Sequence, residues 1–246
     1  MNKNFERFQP LGESWGKRAL KDGLRTVLDS TDLKGIKNEY IDTLHKIILA
    51  KYLLLDKNEK ILDFGCGTGR FTSWLKERGF KVVGIDITEE MLDVAKKTYP
   101  NDIFILYDGI DLPFDDQSFD RVLSVFVLQH ISDQNDFWRT VTELVRCVKK
   151  GGMIYLIEQI SEKYSDYYIH KLPKDYIETF NRCNCKCILN RPIRDGRSLI
   201  PEVLKRCFIP RFLFPIIARF DLCLIKNKSV PDKGYLDYFF MFQKEK

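Results

Sequence analysis

Short apolar runs alternate with amphipathic stretches along the middle of the chain, and this pattern predicts most of its secondary structure. The apolar runs predict strands at 61–64, 81–85, 103–107, 121–127 and 153–157. The stretches between them have helical periodicity and predict helices over about 70–78, 89–98 and 133–149, the last ended by Gly151-Gly152. Because strands alternate with helices, we expect parallel strands joined by crossover helices in an α/β sheet.

The two ends of the chain follow a different pattern. Residues 1–55 carry apolar side chains at helical spacing and predict a helical N-terminal segment. After the fifth strand, the sequence predicts a helix at 173–181 and strands at 184–190 and 235–242. The region 196–228 between these strands is apolar and helical, but three prolines interrupt it. We therefore expect an antiparallel pair of late strands at a sheet edge, separated by a helical insertion.

Composition narrows the class of protein without identifying it. The 246 residues allow one large domain or two small ones, and 44% apolar with 30% charged residues is ordinary for a globular chain. These values exclude a collagen-like chain, a coiled-coil rod and a wholly disordered polymer. The polar start and the odd number of cysteines, seven, lead us to expect free thiols in a reducing, cytoplasmic compartment. The most apolar short run, 212–218, has seven residues, whereas a spanning helix needs about 20.

The strongest chemical signal is a glycine-rich turn that follows the first predicted strand. Residues 61–71 read ILDFGCGTGRF. Glycines let the backbone turn tightly and approach a ligand, and the next helix presents free N–H groups at its N-terminus. A dinucleotide fingerprint would place its third glycine at position 70, which is Arg70, so that interpretation loses its third glycine. A plain glycine turn remains the other alternative.

Acidic residues follow the next two predicted strands at positions that suit a nucleoside. Asp86 ends the second strand, about 20 residues after the glycines, where a carboxylate can accept both ribose hydroxyls. Met91 follows on the next helix and is placed to pack against a flat base, while Asp108 follows the third strand and could accept from an exocyclic amine. Each acid alone could be a loop residue, but their order and spacing together favour a nucleoside site.

At this point the sequence resembles the class I S-adenosylmethionine-dependent methyltransferases over residues 55–160. The segments that carry the resemblance are ILDFGCGTGRF, VVGIDITEEML, YDGIDLPFDDQSFDRVLSVFVLQHI and LVRCVKKGGMIYLIE. The resemblance implies an α/β, doubly wound, mainly parallel seven-stranded sheet, the Rossmann-like methyltransferase fold, whose last strand is antiparallel. It implies S-adenosyl-L-methionine as the cofactor and methyl transfer as the activity. We expect a single domain over 1–246, with a helical N-terminal cap at 1–55, a cofactor-binding core at 56–160 and an acceptor-side region at 161–246.

Carried over by position, the resemblance implies a cofactor site at the strand ends. The glycine loop would surround the methionine part, Asp86 would hold the ribose, and residues after the next strands would meet the adenine. The implied cofactor-binding residues are Asp63, Gly65, Cys66, Gly67, Gly69, Asp86, Ile87, Met91, Asp108, Gly109, Ile110, Val125, Phe126 and Gln129.

A hydroxyl acceptor would need a base, and His130 is the candidate because it follows the fourth strand at the expected mouth of the site. The alternative is a packing or cofactor-supporting role, with Ser132 capping the next helix. Three tyrosines at 164–168 and His170 follow the fifth strand, where acceptor-lining residues of the resembled family often lie; exposed loop residues are the alternative.

The cysteines at 183, 185 and 187 raise the question of a metal site. On a strand, alternate residues point to the same face, so three thiols would lie together. A closed zinc site usually takes four ligands, often as Cys-x₂-Cys pairs, and that pairing is missing. We therefore expect buried thiols that act as small apolar residues, and no metal.

The positive charge is concentrated late in the chain. The protein carries +5, whereas residues 182–228 hold eleven basic and three acidic residues, a net +8, which leaves −3 for the remainder. Combined with many apolar residues, this suggests an interfacial surface at 196–228, a lid over an anionic or lipid-linked acceptor, or a helical cap with a solvated basic face. We expect a cytoplasmic protein with a peripheral membrane contact or a lipid-linked substrate as the possibility to test.

Three hypotheses about function remain open from the sequence. The first is methyl transfer to a small molecule, such as a hydroxyl of a sugar, a lipid-linked glycan or another metabolite. The second is methylation of nucleic acid or protein, against which the fourth strand ends in Ser124-Val125-Phe126-Val127 and lacks the Asn/Asp-Pro-Pro-aromatic tetrapeptide. The third is a regulatory protein that binds the cofactor without turnover.

Overall fold

The computed structural model describes residues 12–21, 23–53, 58–161, 171–207, 209–231 and 234–246. The tyrosines at 164–168 and His170 lie outside these residues, as do residues 1–11, 22 and 54–55 of the first predicted segment. Residues 12–19 are helical (α1), and the next helix, α2, spans Ile36–Tyr52. The described part of the predicted N-terminal helical segment therefore holds two α-helices, and residues 26–35 between them form turns.

Within the described ranges, seven strands form one mixed sheet in the order β3-β2-β1-β4-β5-β7-β6. The strands are β1 (Lys60–Phe64), β2 (Lys81–Asp86), β3 (Ile103–Leu106), β4 (Phe119–Val125), β5 (Val148–Ile160), β6 (Cys185–Asp195) and β7 (Leu236–Lys244). The first five pair in parallel, and β7 runs antiparallel between β5 and the edge strand β6. This confirms the predicted doubly wound α/β fold and the late antiparallel pair. The strand order reverses between β1 and β4, the position at which such sheets bind ligands beyond the carboxyl ends of their strands.

The remaining helices connect the strands and cover the sheet on both faces. They are α3 (Arg70–Lys76), α4 (Glu89–Thr98), α5 (Gln134–Cys147), α6 (Pro173–Arg182), α7 (Ile200–Arg206) and α8 (Phe214–Leu224). Helices α2, α3, α7 and α8 bury their apolar residues with one face of the sheet, and α5 and α6 do so with the other. Fully buried aromatic side chains such as Tyr155, Phe239 and Phe240 fill these layers.

The junction of α5 and β5 differs from the predicted one. The helix ends at Cys147 and the strand begins at once at Val148, so Gly151 and Gly152 lie within β5 instead of ending α5. The pairing with β4 shifts register there, and Gly151 takes a left-handed φ of 76° with open space where a Cβ would lie. The glycines therefore serve a strand irregularity. The helix is capped by Asp133, whose Oδ1 accepts from two backbone N–H groups, and not by Ser132.

The late region also differs in two details from the prediction. Cys183 ends α6 and lies outside β6, and Asn184 turns the chain with a φ of 57°, so the three cysteines do not share a strand face. Cys185 is buried in the core, while Cys183 and Cys187 are half-buried against it. The described residues of the insertion form two short α-helices with the 3₁₀ turn Arg211–Leu213 before the second, and Pro201 and Pro215 lie in the first turns of the α-helices instead of breaking longer ones.

Candidate functional site

A cavity opens at the carboxyl ends of β1, β2 and β4, where the strand order reverses. It measures about 950 Å³ with the space open to solvent included, which suits a small-molecule site. Its described lining includes eleven of the predicted site residues: Asp63, Gly65, Cys66, Gly67, Asp86, Ile87, Met91, Gly109, Val125, Phe126 and His130. The chain therefore brings together most of the residues singled out from its sequence.

The glycine loop is fixed against the second strand. The backbone N–H groups of Gly65 and Cys66 both donate to the carbonyl of Ile85, at 2.8 and 3.0 Å. Gly65 has a φ of 68°, and a Cβ there would lie 2.3 Å from the nearer methyl carbon of Val127. Only glycine fits at such a position, because both the backbone conformation and the space exclude a side chain. Gly69 does not line the cavity; a Cβ there would meet the ring of Phe104 at 2.6 Å, so this glycine serves packing.

Asp86 lies at the end of β2 and is held by the backbone on both sides. Its Oδ2 accepts from the N–H of Gly67 at 2.8 Å, and its Oδ1 accepts from the N–H of Thr88 at 2.9 Å. Burial raises the pKa of this carboxyl despite these bonds. Each carboxylate oxygen accepts more than one hydrogen bond, so both remain able to accept from a ligand hydroxyl.

Asp63 forms the floor of the cavity with Arg70. The hydroxyl of Thr72 donates to Asp63 Oδ2 at 2.6 Å, and burial raises the pKa of Asp63 to about 6. Arg70 donates to Asp42 Oδ1 at 2.6 Å, which anchors the guanidinium between α2 and the glycine loop. A buried carboxyl and a guanidinium therefore face the same part of the cavity.

The wall beyond β3 is built from Tyr107 and Gly109 rather than from Asp108. Asp108 Oδ1 accepts from the N–H of Ile110 at 3.1 Å, and neither residue is among those that line the cavity. The predicted contact of Asp108 and Ile110 with a base is not visible in this geometry, because the carboxylate turns back on its own loop. Asx-type bonds of this kind are common in turns.

A buried carboxylate organises the segment after β4. Glu158 on β5 accepts from the N–H groups of Val127, Leu128 and Gln129 at 3.3, 3.0 and 3.0 Å. Burial raises the pKa of Glu158 to about 8, although these donors oppose the shift. The side-chain oxygen of Gln129 accepts from the N–H of Gln159 at 2.5 Å. Gln129 therefore supports this segment, and it is not among the described residues that line the cavity.

His130 is half-buried at the opposite wall of the cavity. Its ring meets that of Trp15 edge to face, with centroids 5.3 Å apart. Burial is the main cause that lowers the pKa of His130 to about 4, and the charges of Arg18 and Lys171 add to it. The imidazole is therefore neutral at physiological pH and can accept a hydrogen bond, but it is a weak base.

Several lining residues carry no signal in the sequence. Trp15 and Val27 come from the N-terminal segment and are brought to the cavity by tertiary packing alone. Arg70 and Tyr107 adjoin predicted site residues, so the motifs mark their neighbourhood without assigning them a role. None of the described residues in 196–228 lines the cavity.

A second buried polar cluster lies behind Phe126. Arg194 on β6 forms two hydrogen bonds to Asp237 on β7, at 2.5 and 3.0 Å, and His45 Nε2 lies 3.3 Å from the same carboxylate. His45 is fully buried and packs edge to face against Phe126, with ring centroids 5.2 Å apart. Its Nδ1 has no hydrogen-bond partner within the described part of the chain. This cluster joins α2 to the late strands directly behind the cavity wall.

Metal-ligand clusters and membrane-spanning helices are both absent from the described ranges. These ranges contain no group of three or more His, Cys, Asp or Glu side chains arranged to hold a metal ion. None of their helices is long and apolar enough to cross a membrane.

Comparison with known proteins adds independent evidence. Residues 62–156 match a family described as a methyltransferase domain. A demethylmenaquinone methyltransferase of Tropheryma whipplei is 33% identical over 144 residues, which are 57% of this chain and 54% of that protein. The chain thus spans about half the length of the curated relatives that it matches.

Solved structures share the fold at low identity. An S-adenosylmethionine-dependent methyltransferase from Methanosarcina mazei is 18% identical with a TM-score of 0.59, covering 80% of this chain and 97% of that one. A phosphoethanolamine N-methyltransferase of Haemonchus contortus, solved with S-adenosylhomocysteine, is 20% identical with a TM-score of 0.60. The match covers 92% of this chain and 61% of that one. Residues 62–156 thus match a methyltransferase domain family, and the glycine loop and strand order of the chain agree with the fold of these solved S-adenosylmethionine-dependent methyltransferases.

Proposed function

We propose that the cavity binds S-adenosylmethionine and that the protein transfers its methyl group to a small, apolar, aromatic acceptor. The observation that carries the proposal is the position of Asp86, a buried carboxylate at the end of β2 that is fixed by the glycine loop and can still accept from two hydroxyls. A ribose presents such a pair of hydroxyls.

The residues present fit the cofactor. Glycines 65 and 67 keep the loop free of side chains, and Asp63 with Arg70 offers opposite charges to an amino acid group. Ile87 and Met91 supply an apolar surface beside the ribose site, and Tyr107 also lines the cavity there. The bound cofactor would supply a methyl group on a positively charged sulfur, so the protein mainly has to align the acceptor and exclude water.

The other half of the cavity favours an apolar acceptor. Near Phe126 and His130 the lining includes Trp15, whose ring meets that of His130, and the apolar side chains of Val125, Val127 and Ile131. A sugar or glycan would need many hydrogen-bonding groups there. The relatives named demethylmenaquinone methyltransferases agree with an apolar ring as the acceptor class. A sugar or lipid-linked glycan remains a weaker candidate on this lining.

His130 is the proposed proton acceptor. When a hydroxyl or ring carbon of the acceptor takes the methyl group, the proton it loses would pass to the neutral imidazole. Since the pKa of His130 is lowered to about 4, it suits an acceptor that is already acidic, such as a phenol-type hydroxyl, better than an aliphatic one.

The domain organisation follows from the same proposal. Core residues 56–160 hold the cofactor, the N-terminal segment covers the acceptor through Trp15, and the whole chain acts as one domain. Nucleic acid and protein acceptors are disfavoured by the narrow apolar lining. A regulatory protein without turnover is distinguished by the following assay.

Methyl transfer from S-adenosylmethionine with a labelled methyl group tests the proposal. We expect transfer to hydroquinones and phenols, none to free sugars, and loss of transfer in Asp86→Ala. His130→Ala should lower kcat while S-adenosylhomocysteine still binds. Cofactor binding without transfer to any acceptor would favour the regulatory alternative, and transfer to sugars alone would contradict the acceptor class.

A further inference from the structure

The outer side of α8 carries a continuous apolar stripe. Phe212, Ile216, Phe220 and Leu224 are spaced four residues apart and are 76%, 62%, 64% and 66% exposed. Residues at this spacing lie on one side of a helix. Ile216, Phe220 and Leu224 lie on α8, and Phe212 lies in the 3₁₀ turn Arg211–Leu213 that precedes it. Single exposed apolar residues are ordinary, but four large ones in line along this turn and helix indicate a surface that another body covers.

The fold holds the stripe outward. The opposite side of α8 buries Phe214, Ala218 and Leu222 in the core shared with α2. Buried Asp221 accepts from the hydroxyl of Tyr40 on α2 at 2.8 Å. Rotating the helix to cover the stripe would expose this core and break that bond, so the exposure is a fixed feature of the fold.

The charge around the stripe is positive. Arg206, Arg219 and Lys226 are exposed on or beside α7 and α8. The acid of α8, Asp221, is buried, and the exposed Glu202 of α7 pairs with Lys205 at 3.2 Å. Part of the +8 of residues 182–228 is internal, because Arg194 pairs with Asp237 in the core. The charge that remains near the stripe is still basic.

The geometry points to an anionic lipid bilayer surface as the body that covers this stripe. Interfacial helices carry Phe and Leu on one side with Lys and Arg beside them, and they lie in the plane of the headgroups. Basic side chains near such a surface are attracted by anionic lipids. A two-fold contact through this stripe would bring two copies of the same patch together, each with its exposed Arg219 and Lys226, and this like charge opposes self-association. The inference does not depend on the acceptor, and it goes beyond methyl transfer.

Vesicle co-sedimentation of the full chain tests the inference. One set of vesicles is phosphatidylcholine alone, and the other contains phosphatidylcholine and phosphatidylglycerol in equal parts. We expect binding to the anionic vesicles that weakens with salt. The double variant Phe212→Ser/Phe220→Ser should lower the partition coefficient at least about tenfold, since each phenyl ring contributes apolar area. The variant Arg219→Glu/Lys226→Glu should also weaken binding.

A matched control is Trp138→Ser on α5, which removes an apolar residue that is 48% exposed on the other face of the sheet. It should leave vesicle binding unchanged. Circular dichroism of every variant establishes that it is folded. Absence of binding to anionic vesicles, or equal binding by the stripe variant and the wild type, would overturn the inference. So would a dimer in sedimentation analysis that Phe212→Ser/Phe220→Ser dissociates, because the stripe would then be covered by a second copy. Methyl transfer to a soluble acceptor is measured in parallel, so loss of lipid binding is distinguished from failure of the proposed function.

Discussion

Gly65 offers the sharpest perturbation of the proposed cofactor site. In Gly65→Ala the new Cβ would lie 2.3 Å from a methyl carbon of Val127, and the residue would have to keep a φ of 68°. A left-handed conformation costs a non-glycine residue roughly 1–2 kcal/mol, and overpacking adds about 1–3 kcal/mol. Gly151→Ala is the matched control, because its φ is 76° but nothing lies within 4 Å of the added carbon. Gly151→Ala should therefore show only the free-energy cost of a left-handed backbone, without a steric clash.

Urea unfolding and calorimetric binding of S-adenosylhomocysteine measure the two effects. We expect Gly65→Ala to be less stable than Gly151→Ala by about 1–3 kcal/mol and to bind the ligand at least about tenfold more weakly. Adding Val127→Ala to Gly65→Ala should recover part of the lost binding, since it removes the methyl carbons in the way. Equal stability and affinity of the two single alanine variants would refute the reasoning that the loop is shaped by close approach to Val127.

Three further predictions concern buried charges. Asp237→Asn leaves Arg194 in the core without its carboxylate and should lower the free energy of unfolding by about 3–5 kcal/mol. Asp116→Asn, at an exposed ion pair with Arg146, should lower it by less than about 1 kcal/mol. Similar losses in the two variants, measured by urea unfolding, would contradict the role of burial. The pKa of His130 falls from 6.5 to about 4 on folding, so the free energy of unfolding should decline as the pH drops from 6.5 to 4. In urea unfolding measured at several pH values, His130→Asn should reduce this decline by no more than about 3 kcal/mol. The pKa of Glu158 rises from 4.5 to about 8 on folding, so its contribution is present at low pH and is lost as the pH rises towards 8; Glu158→Gln should flatten that loss, and an unchanged slope would disprove it.

Local signals in the sequence were enough to predict the sheet and the floor of the site. The strand periodicity, the glycines and the acids at strand ends are properties of contiguous segments, and they recover β1 to β5 and the position of Asp86. The antiparallel late pair also follows from two apolar runs around an insertion. These features depend on backbone conformation and on the burial of one strand face, which neighbouring residues determine.

Side-chain direction was the part that the sequence could not supply. Asp108 and Gln129 lie in the predicted segments, but each side chain bonds to nearby backbone instead of facing the cavity. The sequence assigned Gly151 to the end of a helix, whereas it lies at an irregularity of β5. That irregularity depends on pairing with β4, which the local sequence does not show. In each case a hydrogen bond or a pairing with another element decided the outcome.

Long-range contacts were equally invisible. Trp15 reaches His130 across more than 100 residues of sequence, and His45 meets Asp237 across a separation of 192. No periodicity or motif records such pairs, since they join α1 and α2 to residues that are distant in the sequence. The proposed acceptor side of the cavity includes Trp15, which no motif places there, so the sequence defined the acceptor less well than the cofactor.

Calorimetric titration of S-adenosylhomocysteine into the wild type, Asp86→Ala and Asp111→Ala tests the central claim most directly. Asp111 is a matched control because its side chain is 80% exposed and pairs only loosely with Arg139, at 3.9 Å. The account predicts binding by the wild type and Asp111→Ala alike, and at least about tenfold weaker binding by folded Asp86→Ala, since a charged acceptor of hydrogen bonds is lost. Equal affinity of all three proteins would contradict the placement of the cofactor at Asp86.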